Sequence, residues 1–157
     1  MIGKILALAF GVLFIAFLAV IVRMVLLSGS AKPPARLGVD DTGHLTRCPT
    51  SPNCVWSRAE SPRHSIPPIA VGSSQEEALA AARQVIESTP GARVVTVDGP
   101  YLHAEFTSRL LHFVDDLELL YDPEAQSFEV RSASRVGTSD LGVNRRRVET
   151  LRQRLAG

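Results

Sequence analysis

Residues 5–27 read ILALAFGVLFIAFLAVIVRMVLL, and Arg23 is the only charge among them. No other feature constrains the chain as strongly. A bilayer core takes about 20 mostly apolar residues at roughly 1.5 Å of rise each. A helix laid against a soluble core keeps a polar stripe, whereas this run is apolar all round. The run predicts a transmembrane anchor over residues 5–27, behind a short N-terminal tail of residues 1–4. Two alternatives stay open, a cleaved signal peptide and a soluble core helix. Gly29-Ser30-Ala31 offers the small residues a signal peptidase needs. Against cleavage, the run exceeds the roughly 7–15 residues of a signal-peptide apolar region, and Arg23 interrupts it. Lys4 on one side and Arg23, Lys32 and Arg36 on the other leave the positive-inside balance close to even.

The chain has 157 residues, enough for one domain beyond the anchor. Of its 17 Lys and Arg residues, removing Lys4 and Arg23 leaves 15 against 16 Asp and Glu, a net charge of −1 for the remainder. That balance argues against a dedicated nucleic-acid binder, which carries a clear basic excess. Nearly all the bases are Arg. Genome composition accounts for this simply; anion recognition through guanidinium forks is the sharper reading.

Residues 28–46 are rich in Ser, Gly and Pro and read as a flexible linker. Residues 47–157 then form a small domain. Its first part, 47–72, holds five Pro and both Cys and reads as ordered coil. Ser74-Gln75-Glu76-Glu77 has the form of a capping box. Ala78, Leu79, Ala82, Val85 and Ile86 follow at helical spacing until Pro90-Gly91. Val94, Val95 and Val97 predict a strand. After Asp98-Gly99-Pro100, Leu102, Ala104 and Phe106 alternate with Tyr101, His103 and Glu105. Residues 117–121 and 127–133 make another strand pair, and a last helix is expected over 142–155. The order predicts an α+β domain, an antiparallel sheet of about four strands with helices on one face.

The cysteines, Cys48 and Cys54, have five residues between them in a Pro- and Asn-rich stretch that favours a reversal. A disulfide in an oxidising compartment is the expectation. Unlinked thiols and a zinc set completed by His44 or His64 remain alternatives, although the spacing matches no standard zinc pattern. A redox pair is disfavoured because the spacing is not Cys-x-x-Cys.

Residues 131–145 cross from a strand end to a helix start. Ser139 or Asp140 can cap that helix, leaving first-turn N–H groups near Arg131 and Arg135, a reasonable anion site. Asp115 and Asp116 open a strand that can face this loop. The competing reading is structural. Residues 98–129 carry eight acids and one base, whereas 131–157 carry seven Arg against Asp140 and Glu149. In that case Asp115 or Asp116 holds Arg131 or Arg135 and fixes the corner. Arg146, Arg147, Arg152 and Arg154 read as a solvated helix face.

Three blocks together carry a resemblance. They are Cys48-Pro49 through Pro52-Asn53-Cys54-Val55, then Val114-Asp115-Asp116, then Arg131-Ser132-Ala133-Ser134-Arg135-Val136-Gly137 with Ser139-Asp140-Leu141-Gly142-Val143-Asn144-Arg145. Over about residues 45–155 the chain resembles the domain of unknown function family numbered 1499. The resemblance implies a bacterial or plastid protein, often behind an N-terminal apolar segment, and carries no catalytic residues over. It points to Cys48, Cys54, Asp115, Asp116, Arg131, Ser132, Ser134, Arg135, Asp140, Asn144 and Arg145 as retained positions. Thr138 stands where the family pattern has an aromatic residue, which implies a more open pocket if that ring is a wall.

The expectation is therefore an inner-membrane, single-pass protein with its domain on the periplasmic or extracytoplasmic side. It contacts the bilayer through residues 5–27 and binds an anionic ligand or a protein partner through Asp115, Asp116, Arg131, Ser132, Ser134, Arg135, Asp140, Asn144 and Arg145. A hydrolase using Asp115 or Asp116 and a structural partner in an envelope complex are the alternatives. No serine elbow, phosphate loop or His-Glu-x-x-His is present, and the sequence calls for no metal or cofactor.

Overall fold

The computed structural model describes residues 2–29, 34 and 37–156. The elements in chain order are α1 (Ile2–Gly29), β1 (Cys54–Trp56), β2 (Ile69–Ala70), α2 (Gln75–Glu87), β3 (Ala92–Asp98), β4 (Tyr101–Thr107), β5 (Val114–Asp122), β6 (Ser127–Ser134) and α3 (Val143–Ala156). The domain is α+β. Its sheet is antiparallel throughout, in the order β1-β6-β5-β4-β3, with β2 also on β6.

Local chemistry sets most of these elements. Glu77 N–H donates to the Ser74 hydroxyl and Ser74 N–H donates to the Glu77 carboxylate, so the expected capping box opens α2. Gly91 ends the turn that follows, at φ +82°, where a Cβ would stand 2.5 Å from the Thr107 carbonyl oxygen. Only glycine lets the α2–β3 turn approach the end of β4 that closely.

The alternation in β4, β5 and β6 is in phase across the sheet. Leu102 faces Leu119 and Ala104 faces Leu117, while Leu119 faces Val130 and Tyr121 faces Phe128. These side chains form one apolar face. Ala78, Leu79, Ala82 and Ile86 of α2, and Val148 and Leu151 of α3, close over it to make the core. Both helices therefore lie on the same face, as the sequence predicts.

Two expectations change. The sheet has six strands rather than about four, because β1 and β2 lie inside the stretch read as coil. At three and two residues they are too short to display a period, and they are specified by pairing with β6: Val55 opposes Ser132, and Ile69 opposes Phe128. The later part of the predicted linker also builds onto the domain. Val39 bridges to Leu45, Leu45 is fully buried, and Gly38 N–H reaches the Glu118 carboxylate. Residues 30–33, 35 and 36 of that linker lie outside the described residues.

α1 spans the apolar run, and Phe10, Leu13, Phe14, Phe17 and Leu18 around it are exposed. Among the described residues no helix is long and apolar enough to cross a membrane. The anchor expected over 5–27 also includes the side chains of Ile5, Ala7, Leu8, Met24, Val25 and Leu27, which lie outside those described.

Cys48 and Cys54 form a disulfide, with Cα atoms 5.7 Å apart. Both thiols are consumed, which removes the ligands the zinc alternative required. The bridge closes a short loop that carries Asn53. Replacing both cysteines with serine is expected to cost about 2 kcal/mol, the entropy of so short a loop. Urea unfolding of the full chain in mild detergent checks this; an unchanged midpoint would show that the loop is held by its other contacts.

Candidate functional site

The residues singled out at the corner are parted by the sheet. Successive residues of a strand point to opposite faces, so Asp115 turns toward the helices and Asp116 away from them. Ser132, Ser134 and Asn144 join Asp115 on the helix side, whereas Arg131 and Arg135 join Asp116 on the other.

On the outer face the strands carry a buried layer of charge. Asp116 is 1% exposed. Its carboxylate accepts from Arg135 Nε at 2.9 Å and Arg135 Nη2 at 2.7 Å, and lies 2.8 Å from His103 Nε2. Arg135 Nη2 also donates to Glu105, which Arg93 grips from the far side through Nε and Nη2. Two residues further along β5, buried Glu118 accepts from Arg131 Nη1, Tyr101 Oη and Gly38 N–H. Glu129 accepts from Trp56 Nε1 at 2.9 Å and Leu45 N–H at 3.0 Å, with His44 Nδ1 2.9 Å away. Arg131 Nε is a buried polar atom with no partner among the described residues.

The electrostatics follow from these contacts. Burial pushes the Asp116 carboxyl up, but the hydrogen bonds from Arg135 and His103 outweigh it and the net direction is down. Glu105 behaves alike: burial raises it, while Arg135 and Arg93 bring it below its ordinary value. The Tyr101 hydroxyl is driven up by burial and by the neighbouring Glu118. A carboxylate held below its ordinary value, with its lone pairs taken by Arg135 and His103, is a weak proton acceptor near neutrality. That counts against Asp116 as a general base.

On the helix side the centre is Arg147. Its Nη2 donates to Asp115, and its Nη1 donates to Ser132 Oγ at 3.0 Å and to Asn144 Oδ1. Asn144, fully buried, donates through Nδ2 to the Asn53 carbonyl and to Ser134 Oγ, both at 3.0 Å. The start of α3 is filled by the chain itself: Asp140 accepts from Gly142 N–H at 3.0 Å and Asn144 N–H at 2.8 Å. Burial raises the Asp140 carboxyl, and these backbone donors bring it down overall. The N–H groups expected to greet an external anion are thus already engaged. Arg145 stands apart, donating to the Arg63 carbonyl.

Arg147 corrects the expectation of a solvated arginine face on α3. Its guanidinium carbon also sits 4.6 Å from the Phe106 ring centre. Arg152 donates to the carbonyls of Pro67 and Pro68, and Arg154 to Val85 O, Thr89 Oγ1 and Ser88 Oγ at the end of α2. Arg146 remains exposed, with Nη1 donating to Leu141 O.

Between α2 and α3 lies a groove of about 270 Å³. Val85, Ile86, Phe106, Val143 and Leu151 give it apolar walls, and Arg146, Arg147 and Arg154 are its only charged lining residues. Among the described residues Arg146 and Arg154 are held by carbonyl and hydroxyl oxygens and pair with no carboxylate. Periodicity conceals this groove, because its residues come from β4, α2 and α3. The outer-face acids Glu105, Glu118 and Glu129 were missed for another reason. Their alternation was visible, but it reads as a solvated face until the neighbouring strands and residues 38–46 cover it.

Removing Arg135 takes two hydrogen bonds from buried Asp116 and one from buried Glu105. Arg135→Ala is expected to cost about 3–5 kcal/mol. The pH response is the sharper readout. In the native protein Asp116 and Glu105 lie below their unfolded values of about 4, so their contribution is full above that pH and fades as pH falls through the folded values. Without Arg135, burial is opposed only by His103 at Asp116 and by Arg93 at Glu105, so both carboxyls move up from their native positions. The variant should then lose less stability than the native protein as pH falls from 7 to 4. Urea midpoints measured from pH 7 to pH 4 on both proteins decide it; parallel curves would remove Arg135 from this role.

No curated protein and no solved structure matches the chain. A family model does match, over residues 44–155, which takes in the disulfide loop, the whole sheet and both packed helices. The chain belongs to the family described as "Protein of unknown function (DUF1499)".

Proposed function

We propose that this protein is a membrane-anchored binding module whose ligand is a small anion with an apolar body, held in the groove between α2 and α3. The observation that carries the proposal is the composition of that groove. Its walls are aliphatic and aromatic, and among the described residues the charged groups that line it are arginines. A volume near 270 Å³ is at the small end for ligand sites and suits a short acyl chain or a comparable apolar group. Arg146 and Arg154 keep donors free beyond those given to the backbone and hydroxyls, and a guanidinium pairs with a carboxylate or phosphate through two parallel bonds. The anion-recognising corner is then the support behind the groove. Asp115, Ser132 and Asn144 fix Arg147 against Phe106, and Arg147 forms one wall.

The anchored placement belongs to the same proposal. α1 carries exposed apolar side chains on every side, a surface that water penalises at about 25 cal/mol per Å² and that lipid accepts. The disulfide suits an oxidising compartment. We place α1 in the inner membrane and the domain on its extracytoplasmic side.

Octanoate tests the groove, with acetate and octanol as controls, against the full chain in zwitterionic nanodiscs. Octanoate is expected to bind and both controls to fail. Lengthening the chain one carbon at a time from butanoate should tighten binding roughly fourfold per methylene, the equivalent of about 0.8 kcal/mol each, until the groove is full. Arg146→Ala with Arg154→Ala should weaken octanoate about tenfold or more and leave the unfolding midpoint close to native, because both side chains are exposed. Equal response to octanoate and acetate, or native affinity in the double variant, sinks the groove reading. Recovery of the full chain in the soluble fraction without detergent sinks the anchor.

A further inference from the structure

We infer that one end of the domain, built from residues 108–113 and 136–142, dips into the headgroup layer of an anionic phospholipid bilayer. The inference rests on the anchoring proposed above but not on the groove's ligand.

The register places both loops at one end of the sheet. Thr107 opposes Val114 and Asp115 opposes Ser134, so the β4–β5 loop and the β6–α3 loop leave together, joined by Arg135 N–H to Val114 O. Each loop raises one leucine into solvent: Leu110 is 88% exposed and Leu141 is 85% exposed. Leu141 is also held at φ +52°, a conformation that disfavours side chains with a Cβ. A leucine there is unfavourable for the backbone and makes little contact with its own fold. Its side chain suits contact with something outside the protein. Val143, 40% exposed, continues the apolar tip toward the groove.

Charge is divided along the same axis. Arg109, Arg145 and Arg146 accompany the leucine end; of the acids there, Asp140 is spent on backbone N–H groups and Glu87, in the last turn of α2, pairs with Arg83. The opposite end holds Asp98, Asp122 and Glu124 in the turns and Glu76 and Glu77 at the start of α2, which Tyr121 ties there through Ser73 O, against Arg58 beside Asp122. A domain with apolar side chains and arginines at one end and carboxylates at the other orients arginine-first on an anionic surface. The geometry permits it. Gly38 meets Glu118 midway along β5, so four residues of strand at about 3.4 Å each separate that contact from Val114. Eight positions separate Gly29 from Gly38 in the sequence, and a chain spans at most about 3.3–3.6 Å per residue, so the length allows that end to reach the membrane that holds α1.

The test uses full-length protein reconstituted in vesicles of phosphatidylglycerol and phosphatidylcholine. Leu110→Cys, Leu141→Cys and, at the far end, Glu124→Cys each carry an environment-sensitive fluorophore; the native cysteines are bridged and do not react. Nitroxide-bearing lipid should quench positions 110 and 141 about twofold, as for groups buried about 5–10 Å into the headgroup boundary. Position 124 should not be quenched. Quenching at 110 and 141 no greater than at 124 overturns the inference. Equal quenching in pure phosphatidylcholine overturns the part played by the arginines. If Leu141→Cys does not fold, Leu110→Cys decides alone. Flotation of the same samples separates the readings: a chain that floats with its probes unquenched overturns only the tip, and a chain that does not float overturns the anchor with it.

Discussion

The pairing of Arg135 with Asp116 and Glu105 governs how the sheet is built. Most antiparallel sheets that carry helices on one face give the other to water. Here the second face is also removed from solvent over much of β4, β5 and β6, and what fills it is charge. Asp116, Glu118, Glu129 and Arg131 are all buried, and each acid is met by two or three donors. Buried pairs of this kind add little net stability, because desolvation consumes much of their attraction. What they enforce is register. A slip of one residue in β5 would turn Asp116 and Glu118 into the apolar core and put Leu117 and Leu119 among the arginines. Both faces oppose that slip.

The same layer explains how residues before β1 come to belong to the domain. Gly38 N–H, Leu45 N–H and His44 reach down to Glu118 and Glu129, and Trp56 joins them from β1. The acids of the sheet thus act as docking points for the chain arriving from α1. The disulfide works on the other side of the same junction. It holds the loop whose Asn53 accepts from Asn144 and donates to Gly137 O at 2.7 Å. Through Asn144 and Arg147 that bond continues to the groove wall at Phe106. The extended segment, the corner and the groove are one connected structure.

Much of this was readable beforehand. The capping box at Ser74, the stop at Pro90-Gly91 and the strand alternation depend on neighbours within a few residues, so the elements of the core were evident. The corner motif was recognised, and its structural reading anticipated a pairing between the acidic and basic segments. The partners were harder. Asp116 takes Arg135, Arg131 takes Glu118, and Asp115 takes Arg147, an arginine assigned to the solvated face of α3. Adjacent residues Asp115 and Asp116 serve unrelated networks on opposite sides of the sheet. Segment charge says that pairing will occur; only strand phase and helix placement say which atoms meet.

The amino-acid sequence by itself determined the apolar run at residues 5–27, the α+β order of the domain and the family to which it belongs, because each is written in local pattern or in short blocks. Tertiary structure decided the two short strands on β6, the ordering of residues 38–46, the covering of the charged face and the groove between α2 and α3. These depend on groups far apart in the chain, such as Gly38 with Glu118 or Phe106 with Arg147. Their meeting is fixed by packing of the whole sheet against its helices, which no local window contains.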